Sequence, residues 1–194
     1  MDIAAIRRNF EKRGFALTYF DTKEEAQAYL LQEIQGKTVT IGGSMTVKSM
    51  GLYEKLQEYN DVRWHDADGL PPRQGAEVYI SSANGLSEQG EIVNIDGACN
   101  RVAGNVYGCK ACFLVCGTNK LAPDLEQAVW RARNIAAPKN ARRLNRKTPC
   151  AAKADRCYDC FSPDCICRAL LVLWKRPIPI ERYEVVLIGE ELGF

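Results

Sequence analysis

Short apolar stretches rich in β-branched residues alternate along this chain with segments of helical spacing. Such alternation is typical of parallel strands joined by helices that cover both faces of a sheet. We therefore predict an α/β fold with a parallel or mixed sheet. Strands are predicted at 15–20, 38–41, 62–64, 77–81, 91–95, 111–116, 170–175 and 183–188, and helices at 3–13, 22–34, 47–59, 100–107 and 123–135.

Composition indicates one globular domain that spans residues 1–194. Apolar residues make up 46% of the chain and charged residues 26%, and 26 basic side chains nearly balance 24 acidic ones. This balance argues against a globally basic nucleic-acid binder. No apolar run is long enough to cross a bilayer, and the N-terminal residues lack the pattern of a secretory signal. We expect a soluble, cytoplasmic protein with no nucleic-acid or membrane partner.

The distribution of cysteines indicates a metal site near the C-terminus. The chain has nine cysteines, of which none lies in residues 1–98 and five lie in residues 150–167. In a reducing compartment such a cluster favours thiolate ligation of zinc or of an iron–sulfur cluster over disulfides. We predict a metal-binding segment at residues 148–167 within the domain. Its ligands are predicted to be Cys150, Cys157, Cys160 and Cys167.

The metal and the role of the fifth thiol, Cys165, stay open at this point. The spacing matches neither standard zinc ribbons nor the ferredoxin pattern, and free redox-sensitive cysteines are an alternative. The preceding segment, residues 131–147, carries seven basic residues and no acidic one, which suits an anionic neighbour. Cys109, Cys112 and Cys116 follow a buried-strand pattern and are interpreted as core residues.

Two segments are candidates for binding a small anion. In the first, Gly42, Gly43, Ser44 and Thr46 form a strand–turn–helix junction whose backbone N–H groups would favour an anion, although a plain helix start explains the same pattern.

The second segment places polar groups around a predicted strand, where α/β sheets bind ligands. We interpret Glu88 as a candidate base or nucleophile, and Gly97 or Arg101 as groups that would steady negative charge. A turn rich in Asn, Gly and Asp is the structural alternative. His65, the only histidine, is expected to be an exposed loop residue. The candidate ligand-binding residues of this segment are Asn84, Asn94, Asp96, Gly97, Asn100 and Arg101.

These residues resemble the LUD (lactate utilisation) domain family, in its short branch with a cysteine-bearing tail. The resemblance covers nearly the whole chain. Cys165 and the cysteines at 109, 112 and 116 depart from the family pattern. The resemblance rests on IGGSMT, ANGLSEQGEIVNIDGACNRVAG, CGTNKLAPDLEQAVWRARNIAAPKNARRL, on TPC followed by CYDC, SPD and IC, and on VVLIGEELGF.

The resemblance implies a Rossmann-like three-layer α/β sandwich of the sugar-phosphate isomerase and CoA-transferase superfamily. It also implies a role in oxidising L-lactate or a related 2-hydroxy acid, with a cysteine-bound [4Fe-4S] cluster, a small carboxylate or phosphate ligand and iron–sulfur redox partner proteins. Ser87-Glu88-Gln89-Gly90 is similar to the Ser-Glu-Asn-Gly stretch whose glutamate forms the acyl intermediate of CoA-transferases.

Three functions follow as alternatives. They are a lactate-utilisation redox protein, a transferase or isomerase that uses Glu88, and a non-enzymatic binding protein stabilised by zinc. A homo-oligomer is compatible with each.

Overall fold

The computed structural model describes residues 1–69 and 75–194. The proline–glycine loop expected near residues 69–75 therefore lies mostly outside the described residues. The strands are β1 Ala16–Phe20, β2 Thr38–Ile41, β3 Asp61–Trp64, β4 Val78–Ser81, β5 Gly85–Ser87, β6 Ile92–Asp96, β7 Ala111–Gly117, β8 Leu121–Ala122, β9 Ala169–Leu173 and β10 Arg182–Ile188. The helices are α1 Ile3–Lys12, α2 Lys23–Glu33, α3 Met45–Ser49, α4 Leu52–Leu56, α5 His65–Asp68, α6 Asn100–Val106, α7 Leu125–Arg131, α8 Ala137–Arg143 and α9 Pro149–Lys153.

A six-stranded sheet in the order β1-β10-β7-β4-β2-β3 forms the centre of the molecule. Every neighbouring pair in it is parallel, so the loops that follow its strands meet at one edge. The central strand β7 reads ACFLVCG and is almost entirely buried, as expected for a strand covered on both faces. The predicted α/β class and Rossmann-like three-layer sandwich are confirmed.

The two faces of the sheet carry separate apolar cores. On one face α2, α3 and α4 pack against the sheet through side chains such as Leu30, Val47 and Leu52, which are fully buried. On the other face α1 packs through Ile6 and Phe10, next to residues of a second, smaller sheet. Burial of these faces supplies most of the stability of the layered fold.

The second sheet has four strands in the order β8-β5-β6-β9. β6 pairs antiparallel with both β5 and β9, whereas β8 runs parallel to β5. The outer face of this sheet packs on α7 through Val93 and Ala128. Because β9 directly follows the cysteine segment, that segment is held between the helices and this sheet.

Local sequence signals explain most element boundaries. A capping box begins α2: Thr22 accepts from the Glu25 amide, and the Glu25 carboxylate accepts from the Thr22 amide. The helix predicted over 47–59 is instead two short helices, α3 and α4. Gly51 separates them with a left-handed φ of 59°, which breaks the helical hydrogen-bond pattern.

Five of the seven basic residues in the 131–147 run lie on one extended helical segment, and Arg146 and Lys147 follow its end. α7 continues through a π-helical turn at Ala132–Ala136 into α8, so the helix predicted over 123–135 ends later, at Arg143. Pro138 lies just after this turn, and because proline has no N–H to donate, it interrupts the regular helical hydrogen-bond pattern there. Within the described residues, no helix combines the length and apolar character needed to span a bilayer.

Candidate functional site

A cavity of about 440 Å³ opens at the edge where the parallel strands end. Its walls come from the loops after β2, β4 and β7 and from the segment after β10, with further residues from the small sheet and from α8. Ligands of α/β proteins bind at this edge because the strand ends leave a crevice there. We call this space the anion cavity, for the charges described below.

Most of the ligand-binding residues predicted from sequence come together here. Gly42 and Asn94 are absent from the walls. The predicted residues that line the anion cavity are Gly43, Ser44, Thr46, Asn84, Asp96, Gly97, Asn100 and Arg101.

Gly42 and Asn94 lie behind the cavity and have packing roles. A Cβ on Gly42 would overlap the Tyr79 hydroxyl, so only glycine fits there. Asn94 is fully buried, and its Oδ1 accepts from the Asn84 amide at 3.2 Å. In turn, the Asn84 Oδ1 accepts from the Ile95 amide, on the same strand as Asn94, at 2.8 Å. This exchange fixes the loop between β4 and β5 against β6.

Ser44 and Asp96 each organise the start of a short helix beside the cavity. Ser44 accepts from the Val47 amide at 3.1 Å, as an N-cap does. Thr46 does not cap; its buried hydroxyl donates to the Leu192 carbonyl at 3.2 Å. Asp96 Oδ2 accepts from the amides of Arg101 and Val102 at 2.8 and 3.1 Å. The Arg101 guanidinium is in turn anchored on the Ile95 carbonyl.

The charges around this cavity favour an anion. Among the described residues, five cationic side chains line the cavity and three carboxylates oppose them. Two of the cations, Arg143 and Arg146, come from the basic run at 131–147. Because cation-lined clefts concentrate anions, we expect a negatively charged ligand. The cations are Arg101, Lys120, Arg143, Arg146 and Arg168, and the carboxylates are Asp66, Asp96 and Asp164.

Lys120 is the wall residue that sequence reasoning missed. It ends the 3₁₀ turn Thr118–Lys120 after β7 and is only 3% exposed. Burial, and then the nearby Arg131 guanidinium, lower the pKa of Lys120 to about 7. Arg131 is itself held by the carbonyls of Asn119 and Asn84, at 2.7 and 2.5 Å. The polar run after a buried strand was the available signal for this residue.

The predicted catalytic residue, Glu88, is not among the residues that line this cavity. It is half-buried in the turn between β5 and β6, where its amide donates to the Ala122 carbonyl at 2.8 Å. Its own carbonyl accepts from Asn9 at 2.9 Å. Its catalytic role stays a prediction. His65, expected in a loop, is instead the first residue of α5.

A second cavity, of about 350 Å³, lies between the cysteine segment, the small sheet and the helix that ends at Arg143, and we call it the thiol cavity. Thr148 caps α9 by accepting from the Ala151 amide at 3.3 Å, and this places Cys150 in the first turn. The remaining cysteines follow in an irregular loop in which Asp159 has a left-handed φ of 48°. The cysteines that line this cavity are Cys150, Cys157, Cys160, Cys165 and Cys167.

Several N–H groups already point at the sulfurs. The Asp159 amide donates to Cys157 Sγ and the Cys167 amide to Cys165 Sγ, each at 3.3 Å. Arg133 donates to Cys157 Sγ at 3.7 Å and to the Asp159 carboxylate at 2.7 Å. Hydrogen bonds to sulfur and a nearby cation stabilise thiolates and iron–sulfur clusters.

The sulfurs lie near one another without converging on one point. Desolvation of the sulfur, and then the nearby thiols of Cys165 and Cys157, raise the pKa of Cys167, although the residue as a whole is exposed. Over residues 1–69 and 75–194, no three His, Cys, Asp or Glu side chains stand close enough to hold a single metal ion. In donor chemistry and space, the thiol cavity fits a group larger than one ion.

The two cavities share a wall. Ile95, Cys165, Ile166 and Arg168 line both of them. The wall is fixed to the small sheet because the Arg168 amide donates to the Asp96 carbonyl at 3.1 Å. A Cβ on Gly97 would lie 3.1 Å from the Ile166 carbonyl, so the cysteine segment packs closely on this loop. A ligand in the anion cavity and a group in the thiol cavity would therefore be separated by a single layer of residues.

Two of the other four cysteines lie where the strand pattern predicted. Cys112 and Cys116 are fully buried in β7, which confirms their interpretation as core residues. Cys109 is half-buried in front of the strand. Cys99 is exposed and precedes α6 with a φ of 62°.

The fold defines an α/β protein of the Rossmann-like class, with two adjoining cavities at the edge of its sheet. The chain belongs to the LUD domain family, whose model matches residues 3–188. It is also similar in structure to a DUF162 family protein from Deinococcus radiodurans known from a crystal structure. That likeness has a TM-score of 0.57 at 14% identity and covers 97% of this chain and 99% of the other. No curated protein matches the chain.

Proposed function

We propose that this protein works in the oxidation of L-lactate or a related 2-hydroxy acid, with a small carboxylate in the anion cavity and an iron–sulfur cluster in the thiol cavity. Membership of a family related to lactate utilisation supports the substrate class. The shared wall carries the proposal, because a redox group in the thiol cavity would lie next to an organic ligand in the anion cavity.

The anion cavity suits a small acid. Its volume of about 440 Å³ lies at the lower end of the range for small-molecule sites. Arg101 would hold the carboxylate, since its guanidinium is anchored beside the cavity and can donate to two oxygens at once. Asp96 keeps the loop that carries Arg101 in position through its two amide contacts. A phosphate group would be bound by the same cations.

The thiol cavity supports a cluster more than it supports zinc. In a structural zinc site four ligands enclose the ion at about 2.3 Å from each sulfur, which leaves no open space. Here five thiols line a cavity of about 350 Å³ together with twelve other residues. Cys150, Cys157, Cys160 and Cys167 are the proposed ligands, with Cys165 on the wall toward the anion cavity. When bound, a [4Fe-4S] cluster would supply one-electron transfer.

The number of electrons that the reaction releases implies a redox partner protein. Oxidation of a 2-hydroxy acid to a 2-oxo acid releases two electrons and two protons, while one cluster carries a single electron. A second redox protein, such as another iron–sulfur protein, must therefore accept electrons in turn. The exposed Phe161, inside the cysteine loop, lies on the surface that such a partner would approach. We place the protein in the cytoplasm, where the thiols stay reduced.

Metal analysis of protein purified without oxygen tests this proposal. We expect iron and acid-labile sulfide in a stoichiometry near four of each per chain, and a broad visible absorption that bleaches with dithionite. Thermal shifts with lactate, pyruvate, phosphate and CoA would then show which anion stabilises the fold. Colourless protein with stoichiometric zinc would contradict the redox role and leave only the binding function.

A further inference from the structure

We propose that Lys120 is a covalent binding site for a small 2-oxo acid, whose carbonyl carbon forms an imine with the Lys120 amine. This inference rests on the anion cavity of the proposed function, and it does not depend on the cluster. It assigns a chemical role to a wall residue that the sequence motifs did not single out.

The position of Lys120 is unusual for a lysine. The residue is 3% exposed, yet it lines the anion cavity. Its Nζ lies 3.5 Å from the position that a Cβ on Gly193 would take, which puts the amine beside the segment that closes the cavity. The Thr46 hydroxyl lies near the same point, at 2.8 Å from that Cβ position. Lysines are rarely buried to this extent without a paired carboxylate.

No such pair is found here. In the described part of the chain, no carboxylate forms an ion pair with Lys120 and no hydrogen bond engages its Nζ. The groups that act electrostatically on the amine are instead the cations Arg131, Arg101 and Lys139, together with the Cys116 thiol. The amine is therefore left available to a ligand in the cavity.

This environment makes the amine nucleophilic at neutral pH. Burial and the neighbouring guanidinium of Arg131 disfavour the ammonium form and lower the pKa to about 7. A desolvated lysine beside another cation is a known way to activate an amine toward carbonyl compounds. Each unit by which a pKa falls raises the neutral fraction of the amine about tenfold when the pH is below that pKa.

The cavity also supplies Arg101, a cation that would bind the carboxylate of a 2-oxo acid. A carboxylate held by Arg101 would leave the adjacent carbonyl carbon of a 2-oxo acid free to face the amine. The amine nitrogen then forms a bond to that carbon, loses its two protons and becomes the imine nitrogen. The carbonyl oxygen leaves with those protons as water, so the step is balanced without an oxidant.

Reductive trapping tests this inference. The full-length protein is incubated with pyruvate and cyanoborohydride at neutral pH, and the labelled residues are identified by peptide mapping. We expect one reduced adduct per chain, at Lys120, and a loss of more than about tenfold of the label in Lys120→Met. Lys110→Met, which removes an exposed lysine, is the matched control and should label like the wild type.

Two results would overturn the inference. One is a label spread evenly over the exposed lysines of the wild-type protein. The other is the absence of label while pyruvate still raises the melting temperature, which would mean that the cavity binds the acid without a covalent bond. Peptide mapping of the wild type decides this even where Lys120→Met folds poorly. Because iron content is measured separately, failure here is distinguishable from failure of the proposed function.

Discussion

Arg13, at the end of the first helix, forms an ion pair with Glu91, which is 78 residues away at the start of β6. Glu91 is buried, at 6% exposure. The same guanidinium donates to the carbonyls of Gln89 and Trp174, at 2.7 and 3.0 Å. One side chain thus joins α1 to two parts of the smaller sheet.

Loss of this side chain should destabilise the protein. Arg13→Ala leaves a buried carboxylate without its cation and two carbonyls without a donor. We expect the free energy of unfolding to fall by about 2–4 kcal/mol. Urea unfolding measures the change. Arg8→Ala, one turn earlier on an exposed face, is the control and should change stability by less than about 0.5 kcal/mol. Equal losses in both variants would contradict the prediction.

Lys120 should make stability depend on pH. An amine whose pKa is lower in the folded chain than in the unfolded chain binds fewer protons when folded, so the free energy of unfolding rises with pH between about 7 and 10.5. Lys120→Met removes this dependence. Relative to the wild type, the free energy of unfolding of the variant should be raised most at or below pH 7. This difference should shrink by up to about 1.4 kcal/mol per pH unit above pH 7.

Urea unfolding of both proteins between about pH 6 and pH 9 measures this difference, in which the other titrating groups largely cancel. Parallel stability curves would show that Lys120 keeps an ordinary pKa in the folded protein.

Arg101 should decide the affinity of the anion cavity. Arg101→Met removes the guanidinium while keeping an apolar stem against the Ile95 carbonyl. The dissociation constant for the best small carboxylate should rise at least about tenfold, because a charge-assisted hydrogen bond contributes about 1.5–3 kcal/mol. Isothermal titration checks this, with Arg8→Met as the control that carries the same charge change outside the cavity. An unchanged affinity would mean that the carboxylate does not bind beside Arg101.

Single substitutions should separate metal ligands from spare thiols. Serine at Cys150, Cys157, Cys160 or Cys167 should lower the iron bound per chain by more than about half, since each removes one of four thiolates. Cys165→Ser should retain the iron. Cys99→Ser is the matched control outside the segment. If Cys165→Ser loses iron and Cys167→Ser does not, the fourth ligand has been assigned to the wrong thiol.

The fold was predictable because its elements carry strong local signals. β2 has the predicted bounds, and α2 begins one residue after its predicted start because Thr22 is its N-cap. The break at Gly51 was missed because the apolar periodicity continues through it, and a left-handed glycine is visible only in the backbone. β5 was missed because three residues are too few for a pattern; its pairing with β6 and β8 is a tertiary effect.

The anion cavity was partly predictable for a different reason. Polar residues at strand ends identify a ligand edge, which is why Ser44, Asp96 and Arg101 were found. Gly42 and Asn94 have the same residue types but serve packing, which depends on neighbours such as Tyr79 that are distant in sequence. Lys120 was missed because lysine is normally a surface residue, and its burial results from several elements together.

The residues of the wall shared by the two cavities are under two evolutionary constraints at once. A mutation at Ile95, Cys165, Ile166 or Arg168 alters the walls of both cavities in one event. Selection that reshapes the anion cavity is therefore expected to change the thiol cavity as a side effect. Descendants of this protein should vary these four positions jointly.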